Sequence, residues 1–158
     1  MAEATLRVTI NKRRTLNALD RILAAAEHFT PDAVQEVADQ SRNEMIRLLN
    51  LKSHPPDTKT PSLPGEPPAR ISGALSRSVH STHVERTGPF EWAARARPTN
   101  PPIYGRIQEL GGVTGRGHRT HLPPRPYVSR ALAELHAVGL YHEVPRSYWR
   151  AALEEGTR

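Results

Sequence analysis

Apolar residues in the first third of the chain recur in two rhythms. Leu6, Val8 and Ile10 alternate with Arg7 and Thr9, which predicts a short strand with one buried face. From Thr15 to His28 the rhythm changes. Leu16, Leu19, Ile22, Leu23 and Ala26 fall at spacings of three and four, the signature of an amphipathic helix. Thr30 then reads as the cap of a second helix, with Pro31 in its first turn and Asp32 at the positive end of its dipole. Val34, Val37, Ala38, Ser41, Met45, Leu48 and Leu49 mark one stripe of that helix. About 21 residues at 1.5 Å each give a rod of roughly 30 Å, the longest predicted element and the expected spine, buried against the protein's own sheet.

Periodicity stops at Lys52. Residues 52–70, rich in Pro, Ser and Thr, predict an extended loop or polyproline-like arm. Pattern returns at Ile71, where Ser72 and Gly73 predict a turn or cap and Leu75 and Val79 point inward. Val79, Ser81 and His83 alternate with His80, Thr82 and Val84. After Glu85–Pro89, Phe90, Trp92, Ala94 and Ala96 take one face and Glu91, Ala93, Arg95 and Arg97 the other, predicting a β-hairpin that ends at Pro98–Pro102.

Tyr104, Ile107 and Leu110 recur every third residue, as on one side of a short helix. Gly111, Gly112, Gly115 and Gly117 then open backbone conformations closed to other residues, and Pro123, Pro124 and Pro126 fix φ just ahead of a new helical pattern. In that helix, Tyr127–His136, one face carries Val128, Ala131, Leu132 and Leu135, and Gly139 can terminate it. Residues 140–144 read as a strand or turn, and Ser147–Glu155 as a terminal helix that docks through Tyr148, Trp149, Ala152 and Leu153. Together these elements predict a single α+β domain: strand and long helices over 1–51, the Pro-rich loop 52–70, a hairpin region 71–112, a Gly/Arg/His loop 113–125 and C-terminal helices 126–158.

Composition sharpens this. Of 158 residues, 37% are hydrophobic and 5% aromatic, so the core must be small. Thirteen of the 15 prolines lie between Pro55 and Pro126, which leaves the helical ends nearly free of them. The net charge is +6, and residues 51–132 hold twelve basic and five acidic groups, so the excess sits wholly in the middle. That points to an acidic partner surface or to nucleic acid. The absence of cysteine excludes disulfides and thiolate chemistry. No apolar run approaches ~18 residues, so no membrane span is expected. The N-terminus lacks the apolar core of a signal peptide, which predicts synthesis in the cytoplasm.

Catalytic chemistry finds little support. His80 and His83, three apart on a strand, face opposite ways and cannot share a metal. His118 and His121 lie in a loop whose nearest acid is Glu109. The glycine run 111–117 has no following Lys-Ser/Thr pair and leads into prolines, unlike a phosphate loop. No serine sits in an elbow motif, and Glu85 and Glu91 flank a turn as exposed hairpin charges. No enzyme activity, metal or cofactor is therefore expected. Gly115-Arg-Gly-His-Arg-Thr-His suits phosphate contact without base readout, or an acidic protein neighbour equally well.

Three motifs in fixed order carry a resemblance. They are Pro64-Gly-Glu-Pro-Pro with Ile71-Ser-Gly-Ala-Leu-Ser-Arg-Ser78, then Tyr104-Gly-Arg-Ile-Gln-Glu-Leu-Gly-Gly112, then Pro124-Arg-Pro-Tyr-Val-Ser-Arg-Ala-Leu132. Together, over about residues 30–136, they resemble the tail-completion (minor tail component, head–tail connection) family of long-tailed double-stranded-DNA bacteriophages. Leu110, Gly112 and Ser129-Arg130 depart from its usual residues, and the last two motifs also resemble a tail-completion group related to virion morphogenesis proteins. The resemblance implies long helices over an antiparallel sheet and a subunit of a ring, typically a hexamer, at the virion neck or tail end. Its partners would be the stopper or connector, the terminator and the tail tube, with DNA passing through. A tail terminator capping the tube is the neighbouring alternative, and a small basic DNA-binding protein the alternative of another class. Pro64, Pro67, Tyr104, Glu109, Gly111, Arg116, Arg119, Arg125, Pro126 and Tyr127 become candidate interface residues, and Arg95, Arg97, Arg116 and Arg119 candidates to face DNA. Arg125 is predicted to pair with Glu109, within one chain or between subunits.

Overall fold

The computed structural model describes residues 12–56, 58, 62–99, 104–115, 117, 119 and 120–157. The predicted strand at Leu6–Ile10 lies outside them. A single helix, α1 (Lys12–Leu49), runs through the first third. The predicted break at Thr30 does not occur. Pro31 sits inside the helix and withholds the N–H that would bond the Glu27 carbonyl. Thr30 does not cap; its hydroxyl donates backward to the Ala26 carbonyl at 2.6 Å. The helix continues because it is covered on both sides of the proline: Ala26 and Ala33 are both buried. Tertiary packing outweighs the local signal.

The cover is α5 (Leu140–Thr157), which takes in both the stretch predicted as strand or turn and the terminal helix. It opens directly after α4 (Val128–Ala137), with Gly139 at φ 76 making the corner. The order of contacts along α1 and α5 is antiparallel. The Tyr148 hydroxyl donates to Glu36 at 2.8 Å, and eight residues later a Cβ on Gly156 would stand 2.7 Å from the Ile22 Cα. Ala152, fully buried, completes this seam of small residues. Leu16 and Leu19 beyond its end and Leu23 beside it stay about half exposed, so the predicted apolar face of α1 is buried only in part.

Between the helices lie α2 (Ala74–Arg77), α3 (Tyr104–Leu110) and three two-stranded antiparallel pairs rather than one sheet. β1 (Val79–Ser81) pairs with β4 (Ala96–Pro98), and β2 (Glu85–Gly88) with β3 (Glu91–Ala93). These are the lower and upper halves of the predicted hairpin. Its turn lies at Gly88–Glu91, later than the expected Glu85–Pro89, and Pro98 is still in the ladder opposite Val79. The two halves part at 82–84, where Gln35 of α1 serves the freed groups: its amide donates to the Thr82 carbonyl and its oxygen accepts the Val84 N–H. β5 (Gly112–Thr114) and β6 (Thr120–Leu122) form the third pair.

The core is small, as the composition requires. Met45, Leu48, Leu49, Leu75, Val79, Tyr127 and Ala131 form one buried cluster, joined by Ile46, Ala96 and Val128. Among the described residues no helix is long and apolar enough to cross a membrane.

Candidate functional site

Parts of all three motifs meet at the base of the β5–β6 hairpin. Gly111 ends α3 at φ 70, and its N–H returns to the Ile107 carbonyl at 2.8 Å. The chain goes out along β5 and back along β6, then passes Gly111 again. A Cβ on Gly111 would lie 2.9 Å from both the Leu122 oxygen and the Pro124 nitrogen. Only glycine meets the positive φ and the close approach together. One residue on, the Arg125 N–H donates to the Gln108 carbonyl at 2.6 Å.

Glu109 then takes hold of the next helix. One carboxylate oxygen accepts the N–H groups of Tyr127 (2.7 Å) and Val128 (2.9 Å), and the other accepts the N–H and hydroxyl of Ser129 (3.0 and 2.7 Å). These are orphan donors of the first turn of α4, and Tyr127 at the cap position supplies no side-chain acceptor of its own. A carboxylate from 18 residues upstream therefore does the capping, where the helix dipole also favours negative charge. Partial burial would by itself raise the Glu109 pKa, but the backbone N–H groups of Ser129, Tyr127 and Val128 and the Ser129 hydroxyl hold it below the usual carboxylate range. The Tyr127 phenol is pushed up to about 12, mostly by burial and then by the nearby Glu109 charge.

Within the chain the predicted Glu109–Arg125 pair is not made. Glu109 is saturated by α4, and Arg125 turns to α3, its guanidinium Nη1 donating to Gln108 Oε1 at 3.3 Å. Arg125 is 6% exposed and its Nε has no hydrogen-bond partner.

The Pro-rich loop closes the same knot. The Gly65 N–H donates to the Pro124 carbonyl at 2.9 Å. The described part of the loop is tied down elsewhere too: His54 N–H to the Arg70 carbonyl, Arg70 N–H to the Lys52 carbonyl, and Lys52 Nζ on Glu66 at 2.7 Å. Pro67 is buried. The expected extended arm therefore folds back on its own chain, through paired backbone bonds between its two ends at 52–54 and 70 and a bond from Gly65 to the third motif.

Of the candidate residues, Pro64, Pro67, Glu109, Gly111, Arg125, Pro126 and Tyr127 belong to segments gathered in this knot. The Tyr104 side chain and Arg116 lie outside what is described, and Arg119 stands exposed on the hairpin loop. Arg95 and Arg97 stand exposed on the other hairpin, Arg95 with Glu85 at 3.7 Å. Sequence reasoning missed Gln108, Ser129 and Gln35. Each is a polar residue on an otherwise amphipathic segment, and its role depends on backbone groups brought in from far along the chain. The hydrogen bonds of the knot join α3, the segment leaving the hairpin's return strand and the start of α4, so it is suited to hold the base of the β5–β6 hairpin in place. Among the described residues no three His, Cys, Asp or Glu side chains group as a metal site would require.

No family model, curated protein or solved structure matches this chain.

Proposed function

We propose that this chain is a structural protein of a bacteriophage particle, a ring subunit at the neck or tail end that completes the tail and joins it to the head. The observation that supports this most is the knot itself. Parts of the three ordered motifs that carry the resemblance are joined by hydrogen bonds, with Gly65 of the first and Gln108 and Glu109 of the second each held to the third, beside the base of an exposed hairpin whose loop bears Arg119. A segment so constrained at its root and so open at its tip suits presentation to a neighbour in an assembly. In a cyclic ring the same patches recur head to tail on every copy. The basic middle of the chain complements acidic partner rings or DNA passing through.

Imaging of purified particles carrying a tagged copy tests this. The tag is expected at the head–tail junction, and particles made without the protein are expected as separate heads and tails. A tag found only at the end of headless tubes would favour the terminator role. Absence of the protein from intact particles would overturn the reading.

A further inference from the structure

Phe90 is the one described residue other than glycine with positive φ, at 59°, and its side chain is 62% exposed. A bulky residue in this region is an outlier, and such strain collects at functional positions. It stands at the tip of the β2–β3 hairpin, in the uncharged stretch Thr87-Gly-Pro-Phe90. Elsewhere on the molecule, a groove of about 360 Å³ opens between α1, β4, α4 and α5. Ala33, Ala38 and Ala96 are among its lining, with Leu132 and Trp149, each over 40% exposed, beside them. Tyr141 also lines it, and its buried hydroxyl has no hydrogen-bond partner.

We propose that Phe90 of one copy inserts into this groove on a second copy. The groove is largely apolar and large enough for a phenyl ring. A chain's own Phe90 does not fill it, as its exposure shows. Charge fits as well. Glu91 follows Phe90, Arg150 follows Trp149, and neither has an ion-pair partner among the described residues. Knob and groove are different patches of one surface, so the contact can join copies head to tail, which in a ring subunit closes the ring. The inference deepens the ring reading and rests on it for its setting.

The absence of cysteine makes a direct test available. Two single-cysteine variants of the full chain, T87C beside Phe90 in the hairpin tip and L132C in the groove lining, both at exposed positions, are mixed and oxidised. The mixed disulfide is expected to form at least about tenfold faster than either homodimer, through the raised effective concentration at the contact. Adding F90A to the T87C copy is expected to return the mixed disulfide to the homodimer rate, and so is adding W149E, in the groove lining, to the L132C copy. Mixed dimer forming no faster than the homodimers, with both variants folded by circular dichroism, would overturn the proposal. Particles that contain the protein while this pairing fails would leave the ring reading standing. Pairing that succeeds while particles lack the protein would leave only the contact.

Discussion

Glu109 and Gly111 are the residues on which the knot turns, and both yield measurable outcomes. Glu109→Gln keeps the shape but removes the charge from four donors at the start of α4. It should destabilise the chain by about 1–3 kcal/mol in chemical denaturation. Because the folded-state pKa of Glu109 is depressed, its contribution is full above the unfolded-state value and fades as pH falls through the lower folded value. Wild-type stability should therefore decline on the acid side more steeply than that of the Gln variant, and parallel acid limbs would sink the capping role. Gly111→Ala should cost about 2–4 kcal/mol, from positive φ plus contact with the Leu122 and Pro124 backbone. Gly65→Ala, at φ 79 but with open space around the new Cβ, should cost only about 1–2 kcal/mol. Equal losses in the two melting curves would show that the close approach at Gly111 does not matter. The demand for glycine at 111 was legible in the sequence. The partner of Glu109 was not, since an acid near an arginine suggests a salt bridge until the fold places a helix start beside it.

At the scale of elements, helix rhythm was a better guide than punctuation. Ala38, Ser41, Met45, Leu48 and Leu49 of α1 and Ala131 and Leu135 of α4 are buried where the apolar spacing put them, while Leu16, Leu19, Leu23 and Leu132 stay exposed, and the short helix over Tyr104–Leu110 is present. Pro31 misled, because it looks like a helix start and lies inside one, as Pro145 does in α5. Pro31→Ala restores a backbone bond to Glu27 and relieves the ring's clash with that carbonyl. It should stabilise the chain by about 1–3 kcal/mol. A lower denaturation midpoint for the variant would mean that the proline shapes α1 in a way the α1–α5 seam requires. The hairpin over 79–98 was legible from its alternation, but its interruption at 82–84 was not. That break depends on Gln35, a residue of a different element, to satisfy the Thr82 and Val84 backbone.

Across the whole molecule, a long helix clamped by a C-terminal helix carries three small β-pairs, and few large side chains are fully buried. Such a thin core leaves much apolar surface outside, including Phe90, Leu132 and Trp149. In a lone chain this is a liability; in a ring subunit it is contact surface. The α+β class, the small core, the helical stripes and the glycine and proline positions around 111–126 followed from the sequence alone, because periodicity, composition and backbone restriction act locally. Which of those segments meet was decided only in three dimensions. The continuity of α1 through Pro31, the capture of α4 by Glu109 and the folding back of the Pro-rich loop each depend on donors and surfaces brought together from distant parts of the chain. No local pattern encodes those meetings, since each residue's partner is set by packing around Met45, Leu48 and Tyr127 rather than by its neighbours in sequence.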